Sequence, residues 1–159
     1  MARALLNIVD KMAKKGTKFR RETMNEKMIM DYFKGVKPFR VSGKDMEWKE
    51  AWGKSGVFGK TLVSKADGLP FSVTLKKFPI QKEIVKEGGY TVHAHPTLEI
   101  GYIVKGKMKT YFEDVGVIET NEGSLVVQPP GLKHAAVSTE EETIVIAINI
   151  PPAEWEEKT

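Results

Sequence analysis

The sequence predicts an all-β domain, a sandwich or barrel, with a short helical extension before it. Three observations carry this. After Gly59 the chain turns to short runs of β-branched and aromatic residues separated by Gly, Pro, Asp and Asn. Before that point apolar residues recur at helical spacing. Finally, the runs Leu98 to Val104 and Thr143 to Ile150 are apolar on both faces, as strands buried on both sides are.

Composition bounds the rest. A chain of 159 residues suits one domain with a sizeable core plus an extension. There is no cysteine, which excludes a disulfide framework and a thiolate metal site, so any metal must be held by nitrogen and oxygen. No run of about 18 apolar residues exists and the N-terminus lacks a continuous apolar signal core, so the expectation is a cytoplasmic protein without a membrane segment. The net charge of +4 is unevenly placed. Residues 1–40 hold eleven Lys or Arg against four acids, and the remainder fourteen against seventeen. A basic arm could meet nucleic acid, but no aromatic-interleaved basic patch or nucleic-acid motif accompanies it. The simpler expectation is a solvated helix face, or an arm docking on the acidic body of its own or a neighbouring subunit.

In chain order, Leu5, Leu6, Val9, Met12 and Ala13 predict an amphipathic helix over 3–15 that ends near Gly16. Thr23-x-x-Glu26 has capping-box form, and Met28, Ile29, Tyr32 and Phe33 extend it into a second helix stopping at Gly35. Trp48 and Trp52, four apart, share a helical face or plug one end of the β domain. Strands are expected over Thr61–Lys65 and Phe71–Phe78, flanking the turn Ala66-Asp67-Gly68-Leu69-Pro70. Further strands follow at 90–95, 98–104, 108–113, 115–119, 124–128, 134–138 and 143–150. The divisions expected are a helical extension over 1–56, a β domain over 57–152 and a tail over 153–159, with Trp155 free to pack back.

The three histidines all lie in two segments, His93-Ala94-His95-Pro96-Thr97-Leu98-Glu99 and Gly131-Leu132-Lys133-His134. Imidazoles at i and i+2 of an extended strand point to one face, with Cα atoms roughly 6.6 Å apart, so both can converge on one ion at bonds of about 2 Å. Pro96 cannot donate to a sheet ladder and should turn the chain, returning Glu99 towards the same centre. His134, past the turn Pro129-Pro130-Gly131, can add a ligand from a distant strand.

The spacing His93-x-His95-x3-Glu99-x6-Gly106, followed by Gly123-x5-Pro129-x-Gly131-x2-His134, resembles the two motifs of the cupin superfamily over roughly residues 57–152. Two positions depart from it. The first motif usually opens with Gly where this chain has Glu87, and the second often ends in Asn where it has Ser138. The resemblance implies a single cupin barrel of six to eight strands, a double-stranded β-helix or jelly roll. It also implies one divalent transition metal, Fe, Mn, Ni, Co, Cu or Zn, held by His93, His95, Glu99 and His134, with positions left open for substrate. The implied function is a metal-dependent enzyme acting on a small oxygen-rich molecule, by dioxygenase, isomerase or lyase chemistry. The alternative is a non-catalytic binding or sensing module. An enzyme should place inward polar groups near the metal, and a binding module mostly apolar walls.

Proton transfer would need a base, and Tyr90, Tyr102, Tyr111, Lys109 and Glu113 are the nearest polar residues in sequence. Gln128 either looks inward or finishes its strand. For each, an outward or barrel-filling role is the simpler expectation. Because two strands are apolar on both faces, the outer surface should be covered by the N-terminal helices or by a second subunit, which predicts a homodimer.

Overall fold

The computed structural model describes residues 30, 31, 33–50, 56–81, 92–138 and 140–153. Residues 1–39 and 40–159 are separate compact units. In the first, Met30, Asp31 and Phe33 are helical, and the Phe33 carbonyl accepts from the Val36 amide at 3.0 Å after the turn at Lys34 and Gly35. The helix expected over 3–15, most of the second helix, Trp52, Tyr90 and Trp155 lie outside the described residues.

The second unit is built from antiparallel strands: β1 (Lys49–Glu50), β2 (Phe58–Val63), β3 (Ser72–Phe78), β4 (Leu98–Lys105), β5 (Lys107–Phe112), β6 (Gly116–Asn121), β7 (Leu125–Gln128), β8 (His134–Val137) and β9 (Thr143–Ile150). Among the described residues they form a six-stranded sheet, ordered β1-β2-β3-β9-β4-β7, and a three-stranded sheet, ordered β6-β5-β8. Strands adjacent in sequence often change sheet, as in a jelly roll. The core lies between the sheets, where Val57, Phe78, Ile103 and Val145 meet Met108 and Ala136.

Turn chemistry explains the connections. Between β2 and β3 a 3₁₀ turn, Lys65–Asp67, is held by the Ser64 amide and hydroxyl, which donate to Asp67 Oδ2 at 2.7 and 2.9 Å, and Gly68 closes it with φ of 71°. Those bonds hold the Asp67 carboxyl below its usual range. Between β4 and β5, Gly106 has φ of 90°, and a Cβ there would lie 2.7 Å from Thr143 Oγ1 and 2.9 Å from the Glu142 carbonyl. Only glycine suits both constraints. Trp48 sits under two cations, with Lys60 and Lys77 Nζ 4.7 and 4.8 Å from its ring centroid. The acidic run Glu140-Glu141-Glu142 is exposed, as a hairpin tip should be.

The strand expected over 90–95 is replaced, from Val92 on, by an irregular segment with a single rung, His93 opposite His134. His95 leaves the ladder because its carbonyl accepts from the Gly131 amide at 2.9 Å, and Pro96 follows it with no amide hydrogen to continue pairing.

The faces of the six-stranded sheet are distributed unusually. On β3 the buried positions are Ser72, Thr74, Lys76 and Phe78, while Val73 and Leu75 face outward, half-buried. On β9 the buried positions are Thr143, Val145, Ala147 and Asn149, while Ile144, Ile146 and Ile148 are half-buried on the other face. β4 buries Glu99, Gly101 and Ile103 but leaves Tyr102 43% exposed and Val104 exposed. Among the described residues, burial on both faces is therefore not achieved. On β9 the branched Ile144, Ile146 and Ile148 line the outer face, while the inner face carries Thr143, Val145, Ala147 and Asn149.

Candidate metal centre

The register sets the site. Glu99 on β4 lies opposite Gln128 of β7 on one side and Asn149 of β9 on the other, and Asn149 in turn lies opposite Ser72 of β3. One row of the inner face is thus polar across four strands. Facing it, the His93 and His134 backbones exchange hydrogen bonds at 2.9 and 2.8 Å. His93, His95 and His134 come together there, one ring nitrogen from each lying within 4.8 Å of the others. The ring centroids of His93 and His134 are 4.6 Å apart, and those of His95 and His134 4.9 Å.

Two of the rings are oriented by their other nitrogen. His134 Nδ1 donates to the Leu132 carbonyl at 2.9 Å, and His95 Nδ1 donates to the Thr97 carbonyl at 3.0 Å. A neutral ring that donates through Nδ1 offers its Nε2 lone pair, the arrangement that a metal-binding imidazole needs. His134 is only 2% exposed. Burial depresses its pKa to about 4, against the Leu132 hydrogen bond, which acts the other way, and it is neutral at pH 7. His95 Nε2 is buried and makes no hydrogen bond, a costly state for a polar atom unless something else meets its lone pair. Nitrogens bonded to one ion at about 2.1 Å lie roughly 3 to 3.5 Å apart, so an inward shift of about an ångström would close the group. The donor set fits a divalent transition ion of borderline character. His93 and His95 are half-buried.

Glu99 is engaged elsewhere. It is 8% exposed, and Lys76 Nζ donates to both its oxygens at 2.9 Å. Gln128 Nε2 donates to Oε1 at 3.3 Å and Asn149 Nδ2 to Oε2 at 3.0 Å. Burial opposes the charge on Glu99, but the Lys76 ammonium and the hydrogen bonds from Asn149 and Lys76 outweigh it, holding the carboxyl at about 2. Glu99 Oε2 lies 3.7 Å from His95 Nε2, beside the histidine group but not within it.

Of the other polar positions weighed from sequence, Gln128 is at the site, with its Oε1 buried and unpartnered. Tyr102 faces outward. Tyr111 and Lys109 share the face of β5 opposite the buried Met108, Thr110 and Phe112, and Phe112 lies against His134 with centroids 6.0 Å apart. Lys109 pairs with Glu119 and Glu113 with Lys133, each at 3.0 Å on the surface. Lys76 and Asn149 were not singled out by sequence reasoning. The available signal was parity: Lys76 shares a strand face with Phe78, and Asn149 with Val145 and Ala147.

The fold and the histidine group define a small jelly-roll protein with a potential metal site between its sheets. Residues 82–151 match the cupin domain family, and the cupin likeness of the chain rests on this stretch. The structure of KdgF from Halomonas sp. is similar at 21% identity, covering 71% of this chain and 94% of that one, with a TM-score of 0.57. An RmlC-like cupin from Shewanella frigidimarina is 20% identical over 75% of this chain and 95% of that one, with a TM-score of 0.56. The EutQ protein of Clostridium difficile is 19% identical over 74% and 83%, with a TM-score of 0.52. No curated protein matches the sequence. At these identities the likeness is one of fold.

Proposed function

We propose that this protein is a metal-dependent cupin enzyme acting on a small oxygen-rich molecule, by dioxygenase, isomerase or lyase chemistry. His93, His95 and His134 would hold a divalent transition ion, with Glu99 as a fourth donor. Bound there, the ion would supply Lewis acidity, and with Fe, Mn, Ni or Cu also redox chemistry. The observation that carries this reading is the wall around the histidines: Lys76, Glu99, Gln128 and Asn149 are all buried and all polar. A module that only bound an apolar ligand would have no use for so many desolvated polar groups, each costly to bury.

The chain's own residues have definable tasks. Leu132 and Thr97 carbonyls fix two imidazole rings, Gln128 Oε1 is an acceptor for a substrate hydroxyl, and Phe112 packs beside His134. The outward Tyr102, Val104, Leu125 and Val127, exposed on adjacent strands, support a homodimer formed on this face. A monomer by light scattering at micromolar concentration would remove that element. No helix among the described residues is long and apolar enough to cross a membrane.

The test is metal content by mass spectrometry on untagged protein purified without added metal, beside His134→Ala. We expect close to one equivalent of a transition metal in the wild type, and affinity reduced about 100-fold or more in the variant. No metal after anaerobic reconstitution would leave a cupin shell and favour the non-catalytic binding module. One retained equivalent in His134→Ala would refute this ligand set.

A further inference from the structure

A carboxylate offers about four acceptor sites. In Glu99 all four are filled: Oε1 by Lys76 and Gln128, and Oε2 by Lys76 and Asn149. Glu99 therefore cannot ligate an ion without releasing at least one donor. The ammonium is the donor that electrostatics selects, since an ion held by His95 would lie close to Glu99 and hence to Lys76. A divalent ion and an ammonium sharing one carboxylate would leave excess positive charge in the interior, which is costly. Lys76, 5% exposed on a long flexible stem, can swing aside, and its ammonium then gives up the two hydrogen bonds it donated to Glu99.

We propose that Lys76 is the substrate-anchoring residue of the site: when Glu99 turns to a bound ion, the Lys76 ammonium takes a carboxylate of the substrate in its place. Beside it, the unpartnered Gln128 Oε1 accepts a hydroxyl, so the substrate class is a small hydroxy-carboxylate. This rests on the metal-dependent reading above and adds to it a thermodynamic coupling. The anion favours metal binding through Lys76, and the metal favours the anion by the same factor.

The test is titration of chelator-stripped protein with Co(II), read by visible absorption, alone, with acetate, and with acetamide at matched ionic strength. In the wild type we expect acetate to tighten Co(II) binding about five-fold or more and acetamide to do nothing. In Lys76→Met we expect tighter Co(II) binding without acetate, by about ten-fold, because the competitor for Glu99 is gone, and no response to acetate. Lys76→Gln, which still offers an N–H to Glu99, replaces it if that variant does not fold, with the loss of the acetate response as its readout. An equal acetate effect in wild type and variant, or none in the wild type, overturns the role of Lys76 and leaves the metal centre standing. No Co(II) binding by the wild type overturns both.

Discussion

The interior has two ends made from the same strands and built on opposite principles. Phe78, Ile103 and Val145 belong to the apolar cluster at one end, where Val57, Met108 and Ala136 also pack, with buried Thr143 opposite Phe78. A few residues along those strands, Lys76, Glu99, Gln128 and Asn149 make a buried polar network facing three histidines. The apolar end gains stability from removing surface from water, a non-directional effect. The polar end must satisfy each desolvated group individually, and where it does not, at His95 Nε2 and Gln128 Oε1, it presents atoms available to a ligand. The contrast teaches that one end holds the sheets together without directional demands, while the other keeps desolvated polar groups in place at a cost in fold stability.

Acid should break the polar end first and with the largest effect. For His134 the folded pKa is depressed to about 4, so its contribution is complete above the unfolded value of about 6.5 and is lost as pH falls from there towards 4. For Glu99 the folded value is also depressed, to about 2, so its contribution is complete above about 4.5 and lost as pH falls towards 2. Both losses run in the same direction in successive windows, on the order of several kcal/mol together. Denaturant unfolding of metal-free protein at pH 7, 5.5, 4 and 3 should show a continuous fall. A flat profile down to pH 4 would mean that His134 is not held neutral by burial.

The apolar end is sharpened by Ile103→Ala. Ile103 is fully buried at the centre of that cluster, and its truncation should cost about 3 kcal/mol by chemical denaturation. The folded variant should still bind metal with wild-type affinity, because Ile103 lies four residues from Glu99 on the same face of β4. A parallel loss of metal affinity would show that the two ends are one cooperative unit. Gly106→Ala comes next, at about 2 kcal/mol, from a positive φ combined with the approach of Thr143 and the Glu142 carbonyl. A neutral result would require the β4–β5 turn to relax away from both.

Much of the fold could be read from residues. Thr143–Ile150 is a strand with the expected bounds, and most others differ by a few residues at the ends. The histidine group was legible because imidazoles at i and i+2 beside a proline, plus a third past a Pro-Pro-Gly turn, carry spacing that survives the loss of regular strand geometry. Lys76 was not legible, for a physical reason. Adjacent to Lys77, it offers no periodic hint of which lysine points inward, and Val73 and Leu75 on the opposite face bias any hydrophobic pattern the wrong way. Asn149 was masked likewise by four isoleucines that face outward. Facing was decided by pairing with β4, a contact about fifty residues away in the chain.

The smallest expected effect concerns the tyrosines that sequence proximity suggested as bases. Tyr102 is on the outer face of β4, and Tyr111 on the face of β5 away from Phe112 and His134. Neither can reach the space between Gln128 and the histidines without the strand reversing its side chains, since alternation fixes each residue to one face. Tyr102→Phe and Tyr111→Phe should each change stability by less than about 0.5 kcal/mol and leave Co(II) affinity unchanged. If Tyr102→Phe altered metal binding, the outer face would be coupled to the histidine group, and the division into an inner polar end and an outer structural face would have to be redrawn.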